Sequence, residues 1–432
     1  MRARLVPPGD DYTGNLVWRK EDFIDKVNEI VASLKNLRDM GYWASAYPEG
    51  DGITFNYNKD GHQKSDTEIL NDFITCFDWA SIELAKSRNS NIELADLEDE
   101  SKMMECIVIV PIEKIFIQET ITTDKYILYC ERQFDKEPYE RLSDHEGSYI
   151  QFHCNLPYID LLKLNSSIDH NSYVINMCLS IAEYALDLVR FSHSSFTNKE
   201  FTPNPAGQHS SGFYDVEIIP NENTHLKPIM ISGISRPFAV SNNWLGPQVD
   251  NLCHPGVKYL SSVYDGVIDN ELSKLVSSVV RSCRQSFYSI GEESQFLNLV
   301  FALDGLSYIH SDWKGWKQRT YIAALTCNNS ISNFKKNLEV YDRLYTDIRN
   351  KLVHDGKDFY QLHVNADECS EQIFKYIKTI IILIERKNFS TLNELRAHAI
   401  NLLQNEDYRI AAEEVIDDVS LLRGKPPHYP SW

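Results

Sequence analysis

Arg349, Asn350 and His354 stand in the string R-N-K-L-V-H, which closes a long amphipathic pattern just before Asp355 and Gly356. These residue types suit the cleavage of RNA without a metal. RNA carries its own nucleophile: a 2′-hydroxyl attacks the adjacent phosphorus once it is held in line and its proton is removed. The leaving 5′-oxygen needs a proton, and negative charge gathers on the non-bridging oxygens. A histidine, titrating near neutrality, exchanges such protons. An arginine stays charged and grips two phosphate oxygens at once. The amide of Asn350 suits orienting the imidazole or binding phosphate. The expected products carry a 2′,3′-cyclic phosphate and a 5′-hydroxyl.

Spacing alone is a weak signal. With 18 Arg and 13 His in 432 residues, about 0.5 such pairs arise by chance. Arg423 and His428 repeat the spacing, but they enclose Pro426 and Pro427, which bar a regular helix, so that pair reads as chance. At Arg349 the polar slot holds Asn350, Leu352 and Val353 are apolar, and Leu338, Tyr341, Leu344, Tyr345 and Ile348 upstream keep helical spacing. Asn350 and His354, four apart, share a helix face. Arg349 and His354, five apart, lie about 140° apart on an ideal helix and converge less well unless the last turn loosens. The plainer reading is a helix end with a solvated arginine and a capping histidine. Around the motif, Asp304 can pair with an arginine of the site, and Lys351, Lys357 and Arg343 can guide RNA. Asp347 and Asp355 read as solvent-facing or local caps, and Arg281 and Arg284 as a solvated helix face. His193, His209 and His254 fall in loops without mutual ligand spacing. No C-x-x-C pair occurs among the nine Cys. Neither a metal nor a cofactor is expected.

The elements that must hold the motif fall into two styles. Residues 1–254 read as a mixed α+β domain. Glu21 to Met40 and Ile69 to Leu84 have helical spacing, and strands are expected in E-C-I-V-I-V-P, K-I-F-I-Q-E-T-I and K-Y-I-L-Y-C. A turn at Thr122, Thr123 and Asp124 makes the last two a hairpin. Further strands are expected near Ser148 to His153, Phe213 to Ile219 and Pro228 to Ile234, with a helix over Tyr173 to Phe191. The stretch 195–256 is rich in Pro, Gly, Asn and Ser.

Residues 255–432 read as an all-α bundle. Asp269 can cap a helix whose apolar face runs Leu272, Leu275, Val276, Val279, Val280, Cys283 and Phe287. Glu292 to Ile309 and Trp316 to Thr326 follow, then a helix capped by Ser332 that carries the motif. Asn365 with Glu368 makes a capping box for a helix to about Lys387, and Thr391 with Glu394 starts another.

The formal charge is −19, of which −17 belongs to residues 1–254 and −2 to residues 255–432. That balance excludes a broad basic face that coats nucleic acid, but not a local patch that binds one RNA loop. The longest aliphatic run, Ile380 to Ile384, is too short to cross a bilayer. The start, Met1 to Asp10, has no apolar stretch for a signal peptide. An odd number of cysteines suggests reduced thiols. The expectation is a cytoplasmic protein without a membrane partner.

R-N-K-L-V-H-D-G, the stretch F-A-L-D-G-L two helices earlier and the helix order over about 260–405 resemble the HEPN superfamily. The nearest group is the Apea-like HEPN proteins of bacterial phage defence. In place of the Leu-Glu-x-Leu often found there, this chain has Leu303-Asp304-Gly305-Leu306. The resemblance implies a HEPN-type helical bundle with Arg349, Asn350 and His354 as catalytic residues. It implies a metal-independent endoribonuclease, with transfer RNA as substrate, acting by abortive infection. It further implies a homodimer that brings two motifs together. Residues 1–254 are then expected to sense a phage-derived trigger or to restrain the nuclease. An alternative is a non-catalytic HEPN module for dimerisation or nucleotide binding, serving an N-terminal recognition domain.

Overall fold

The structure, a computed structural model, describes residues 102–134, 147–165, 172–221, 228–234, 246–307 and 315–430, together with the backbone of three strands near the start. The helices expected over 21–40 and 69–84 lie outside the described residues. The chain forms two compact units. One comprises Met1–Ile109, Phe152–Leu179 and Val216–Ile231; the other comprises Val110–Gln151, Ser180–Asp215 and Ser232–Trp432.

In the first unit, strands β1 (Gly14–Arg19), β2 (Trp43–Glu49) and β3 (Gly52–Asn58) form an antiparallel sheet with β3 in the middle. Strand β4 (Met103–Ile112) buries Cys106, Val108 and Ile109. It continues into the second unit, which also holds the short strands β5 (Phe116–Ile117), β6 (Ile121–Thr122) and β7 (Tyr126–Tyr129). Strand β8 (Ser148–Pro157) and helix α1 (Tyr158–Asn165) follow. Helix α2 (Ser172–His193) leads to β9 (Phe213–Pro220), β10 (Ile229–Ile234) and β11 (Gln248–Val249). In the first unit the strand order is β10-β9-β4-β8, with Cys106 opposite Pro220 in the antiparallel β4–β9 pair. In the second it is β8-β7-β6.

The expected hairpin is present, with Ile121 opposite Leu128 and Thr123 N–H bonded to Tyr126 O. The strand expected through K-I-F-I-Q-E-T-I is broken. Lys114 takes a left-handed φ of 56°, and Phe116–Ile117 leaves the hairpin to pair in parallel with Gln248–Val249.

Ten helices fill the described part of residues 257–422. Helix α3 (Val257–Tyr264) precedes α4 (Glu271–Tyr288). The cap of α4 is Asn270, one residue after the expected Asp269, and it exchanges bonds with Ser273. Leu272, Val276, Val279, Val280, Cys283 and Phe287 are buried, as a 3.6-residue repeat requires. Helix α5 (Glu292–Ser307) packs against α4, then α6 (Trp316–Thr326) packs against α7 (Ile331–Asp342). Ser330, not Ser332, caps α7 through Asn333 N–H. A π-helical turn, Arg343–Arg349, joins α7 to α8 (Asn350–His354), and α9 (Phe359–Leu362) follows.

Helix α10 (Ala366–Lys387) runs along α5. Asn365 accepts from Glu368 N–H at its start, and Thr391 caps α11 (Leu392–Leu403) with Glu394 in return. A last helix, α12 (Glu406–Leu422), packs on α7. It had no counterpart in the sequence reading.

One apolar core joins these helices, and it includes Leu188, Phe191 and Phe196 from α2 and the turn after it. Phe196 stacks on Phe287 with centroids 4.2 Å apart. Among the described residues, no helix is long and apolar enough to cross a membrane.

Candidate active site

The backbone around the motif departs from a plain α-helix. In the π turn, Asn350 N–H reaches back five residues to Tyr345 O. Such widened turns recur at functional sites because they re-aim side chains on an otherwise regular helix. The loosening falls in the turn before Arg349, not between Arg349 and His354. The helix stops where Gly356 takes a left-handed φ of 64°, which glycine adopts without a Cβ clash. Asp355 N–H and Lys357 N–H both return to Lys351 O.

Arg349, Asn350 and His354 converge. Arg349 Nη1 donates to Asn350 Oδ1 at 3.1 Å and to His354 Nε2 at 3.4 Å. The long arginine side chain closes the 140° gap that helix geometry leaves. In this arrangement His354 Nε2 presents its lone pair to a cation. Leu352 is buried and anchors α8, whereas Val353 and His354 face solvent. Arg349 and Asn350 are half-buried. Arg349 Nε is a buried donor without an acceptor among the described residues. A buried donor left unpaired costs free energy, so this guanidinium is suited to gain an acceptor from a ligand.

Two aromatic and acidic neighbours hold the arginine. Its Cζ lies 5.2 Å from the centroid of Tyr345, in cation–π range. Asp304, on α5, is near enough for its charge to interact with Arg349. Burial pushes the Asp304 carboxyl up to about 6, against the opposing effects of a Gln318 hydrogen bond and the Arg349 charge. The pairing anticipated for Asp304 is therefore electrostatic, and its direct bond is from Gln318 Nε2 at 2.7 Å.

Several side chains differ from their sequence reading. Asp347 is not a free surface acid: its Oδ2 accepts from Arg423 Nη2 at 2.8 Å. Arg423, half of the pair dismissed as chance, therefore docks two residues from the motif. Arg319 is a second arginine that periodicity did not single out; its Nη1 meets Asp342 Oδ1 at 2.7 Å. Arg284 is not on a solvated face but lies within 3.4 Å of Glu183 and 3.6 Å of Asp187, in a buried cluster with Arg190. Arg281 is exposed.

The histidines outside the motif are held in other ways. His209 is clamped between Glu113 Oε1 at 2.9 Å and Asp215 Oδ2 at 2.8 Å. Both ring nitrogens are engaged, so this ring is a strut, not a proton shuttle. His193 and His254 meet edge to face at 5.0 Å. Among the described residues, no three His, Cys, Asp or Glu side chains are grouped to hold a metal ion.

No family model, curated protein or solved structure matches the chain.

Proposed function

We propose that the chain is a HEPN-type endoribonuclease whose catalytic residues are Arg349, Asn350 and His354. The observation that carries this reading is the 3.4 Å approach of Arg349 Nη1 to His354 Nε2 on a solvent-facing helix end. A base and a fixed cation within one phosphate's reach are the minimum for in-line attack by a 2′-hydroxyl. His354 takes the 2′-hydroxyl proton on Nε2 as Arg349 Nη1 turns from it to the phosphate. Arg349, steadied on Tyr345, receives the non-bridging oxygens, with its unpaired Nε–H as one donor. Asn350 Oδ1 holds the guanidinium at the same Nη1 that meets His354. Protonation of the leaving 5′-oxygen needs a second acid, which a second copy of the motif supplies in a homodimer.

Transfer RNA is the proposed substrate and phage defence by abortive infection the proposed role. Residues 1–254, which carry most of the excess acid, are proposed to restrain the nuclease until a phage-derived signal binds. An acidic face repels RNA only within about 10 Å at 0.1 M salt, so the restraint requires close approach.

The test is incubation of the full-length protein with total transfer RNA in EDTA. The expected outcome is cleavage with 2′,3′-cyclic phosphate and 5′-hydroxyl ends. His354→Ala is expected to abolish cleavage while shifting folding stability by less than about 1 kcal/mol, because the ring is exposed. Cleavage by His354→Ala at the wild-type rate would remove the assignment.

A further inference from the structure

We propose that Asp342, Arg319, Arg423 and Tyr345 form a positioning device for the Arg349 guanidinium; the inference rests on the ribonuclease reading of the motif. Asp342 is the last residue of α7 and is 1 % exposed. Its carboxylate is divided between two arginines. Oδ1 accepts from Arg319 Nη1 at 2.7 Å and from Thr346 Oγ1 at 3.2 Å. Oδ2 accepts from Arg423 Nη2 at 2.6 Å. Arg423 Nη2 also reaches Asp347 Oδ2, inside the π turn, at 2.8 Å. The turn that aims Arg349 is thus pinned at Asp342, Thr346 and Asp347.

The pin reaches the motif through an aromatic ring. Arg319 Cζ lies 4.9 Å from the Trp316 centroid and 5.7 Å from that of Tyr345. Arg349 Cζ lies 5.2 Å from the same Tyr345 ring. Two guanidinium groups share one ring; Asp342 offsets the charge of Arg319, and Asp304 lies near enough to act on that of Arg349. A buried ion pair is a poor source of net stability, since desolvation offsets much of its attraction. Its strength is orientation: guanidinium and carboxylate meet in fixed planes. A network of this kind, placed at the base of the one π turn among the described residues and ending on Arg349, fits alignment better than bulk stabilisation. Catalysis is sensitive to such alignment, with an ångström of misplacement costing on the order of 10² in rate.

The experiment uses the full-length protein, total transfer RNA and a fluorophore-quencher RNA oligonucleotide, with kcat, KM and thermal midpoint measured for each variant. Tyr345→Phe keeps the ring face and is expected to cleave within about twofold of wild type, since the quadrupole belongs to the ring. Tyr345→Leu removes it and is expected to lose on the order of 10² in kcat with little change in KM. Arg423→Gln frees Asp347 and the Oδ2 of Asp342 and is expected to behave like Tyr345→Leu. Wild-type kcat in both Tyr345→Leu and Arg423→Gln, beside an inactive His354→Ala, would overturn the positioning role and leave the ribonuclease reading intact. Activity that falls only in step with the folded fraction would assign the network to stability and also overturn it. A wild-type protein that cuts neither RNA, or a His354→Ala variant that cuts both, would remove the ribonuclease reading and this proposal with it.

Discussion

Gln318 Nε2 donates a 2.7 Å hydrogen bond to Asp304 Oδ1, so α6 holds the acid of α5 that faces Arg349. Burial raises the Asp304 carboxyl from 3.8 to about 6. A raised acid acts oppositely to a salt-bridged one. Between pH 3.8 and about 6 the folded chain holds a proton that the unfolded chain has released, so folding loses stability as pH rises through that window. Asp304→Asn removes the ionisable group and retains an oxygen for Gln318. Relative to wild type it is expected to gain at least about 1 kcal/mol between pH 5 and pH 8, read from urea midpoints. A difference that does not vary with pH would show that Asp304 does not titrate in this window.

His209 gives the reverse pattern on the other side of neutrality. Hydrogen bonds donated to Asp215 and Glu113 raise it to about 9, and those received from His209 and Ser210 hold Glu113 down to about 2 despite burial. The histidine's contribution is complete below its unfolded value of 6.5 and is lost as pH rises through about 9. Glu113 contributes above 4.5 and its part is lost as pH falls through about 2. His209→Gln is therefore expected to cost about 2 kcal/mol near pH 6 and much less near pH 9.5. Denaturant midpoints at the two pH values decide it; an equal loss at both would assign the cost to packing alone.

Phe196 is 1 % exposed, stacks on Phe287 and meets Phe374 edge to face at 5.6 Å. Phe196→Ala is expected to destabilise the protein by about 3–5 kcal/mol, seen as a lowered thermal midpoint. A loss below about 1 kcal/mol would mean that the turn after α2 is dispensable to the helical core. A fragment cut at residue 255 would lack Phe196, Leu188 and Phe191 from that core.

Much of the helical region was legible because its information is periodic. The buried face of α4, the bounds of α6 and the Thr391 cap follow from spacing and local hydrogen bonding. Periodicity put Asn350 and His354 on one helix face, but the hydrogen bonds that join the three residues both run through Arg349 Nη1. Other features depend on partners remote in sequence, which no repeat announces. Phe116–Ile117 looked like part of a hairpin strand, yet its partner is Gln248–Val249. Asp347 looked like a surface acid until Arg423, 76 residues later, was found beside it. The π turn carries the same apolar spacing as a continued α-helix, with Leu344 and Ile348 both buried, so the pattern gave no sign of it.

The late position of Arg423 has a consequence for synthesis. A ribosome adds about 5–20 residues per second, so on the order of 4–15 s separate the emergence of Asp347 from that of Arg423, 76 residues apart. During that interval Asp347 lacks its partner from the end of α12. The π turn is then held at Asp342 by Arg319 and Thr346 but not at Asp347. The order of translation thus supplies a delay: the contacts of Arg423 with Asp342 and Asp347 close only after α12 has been made.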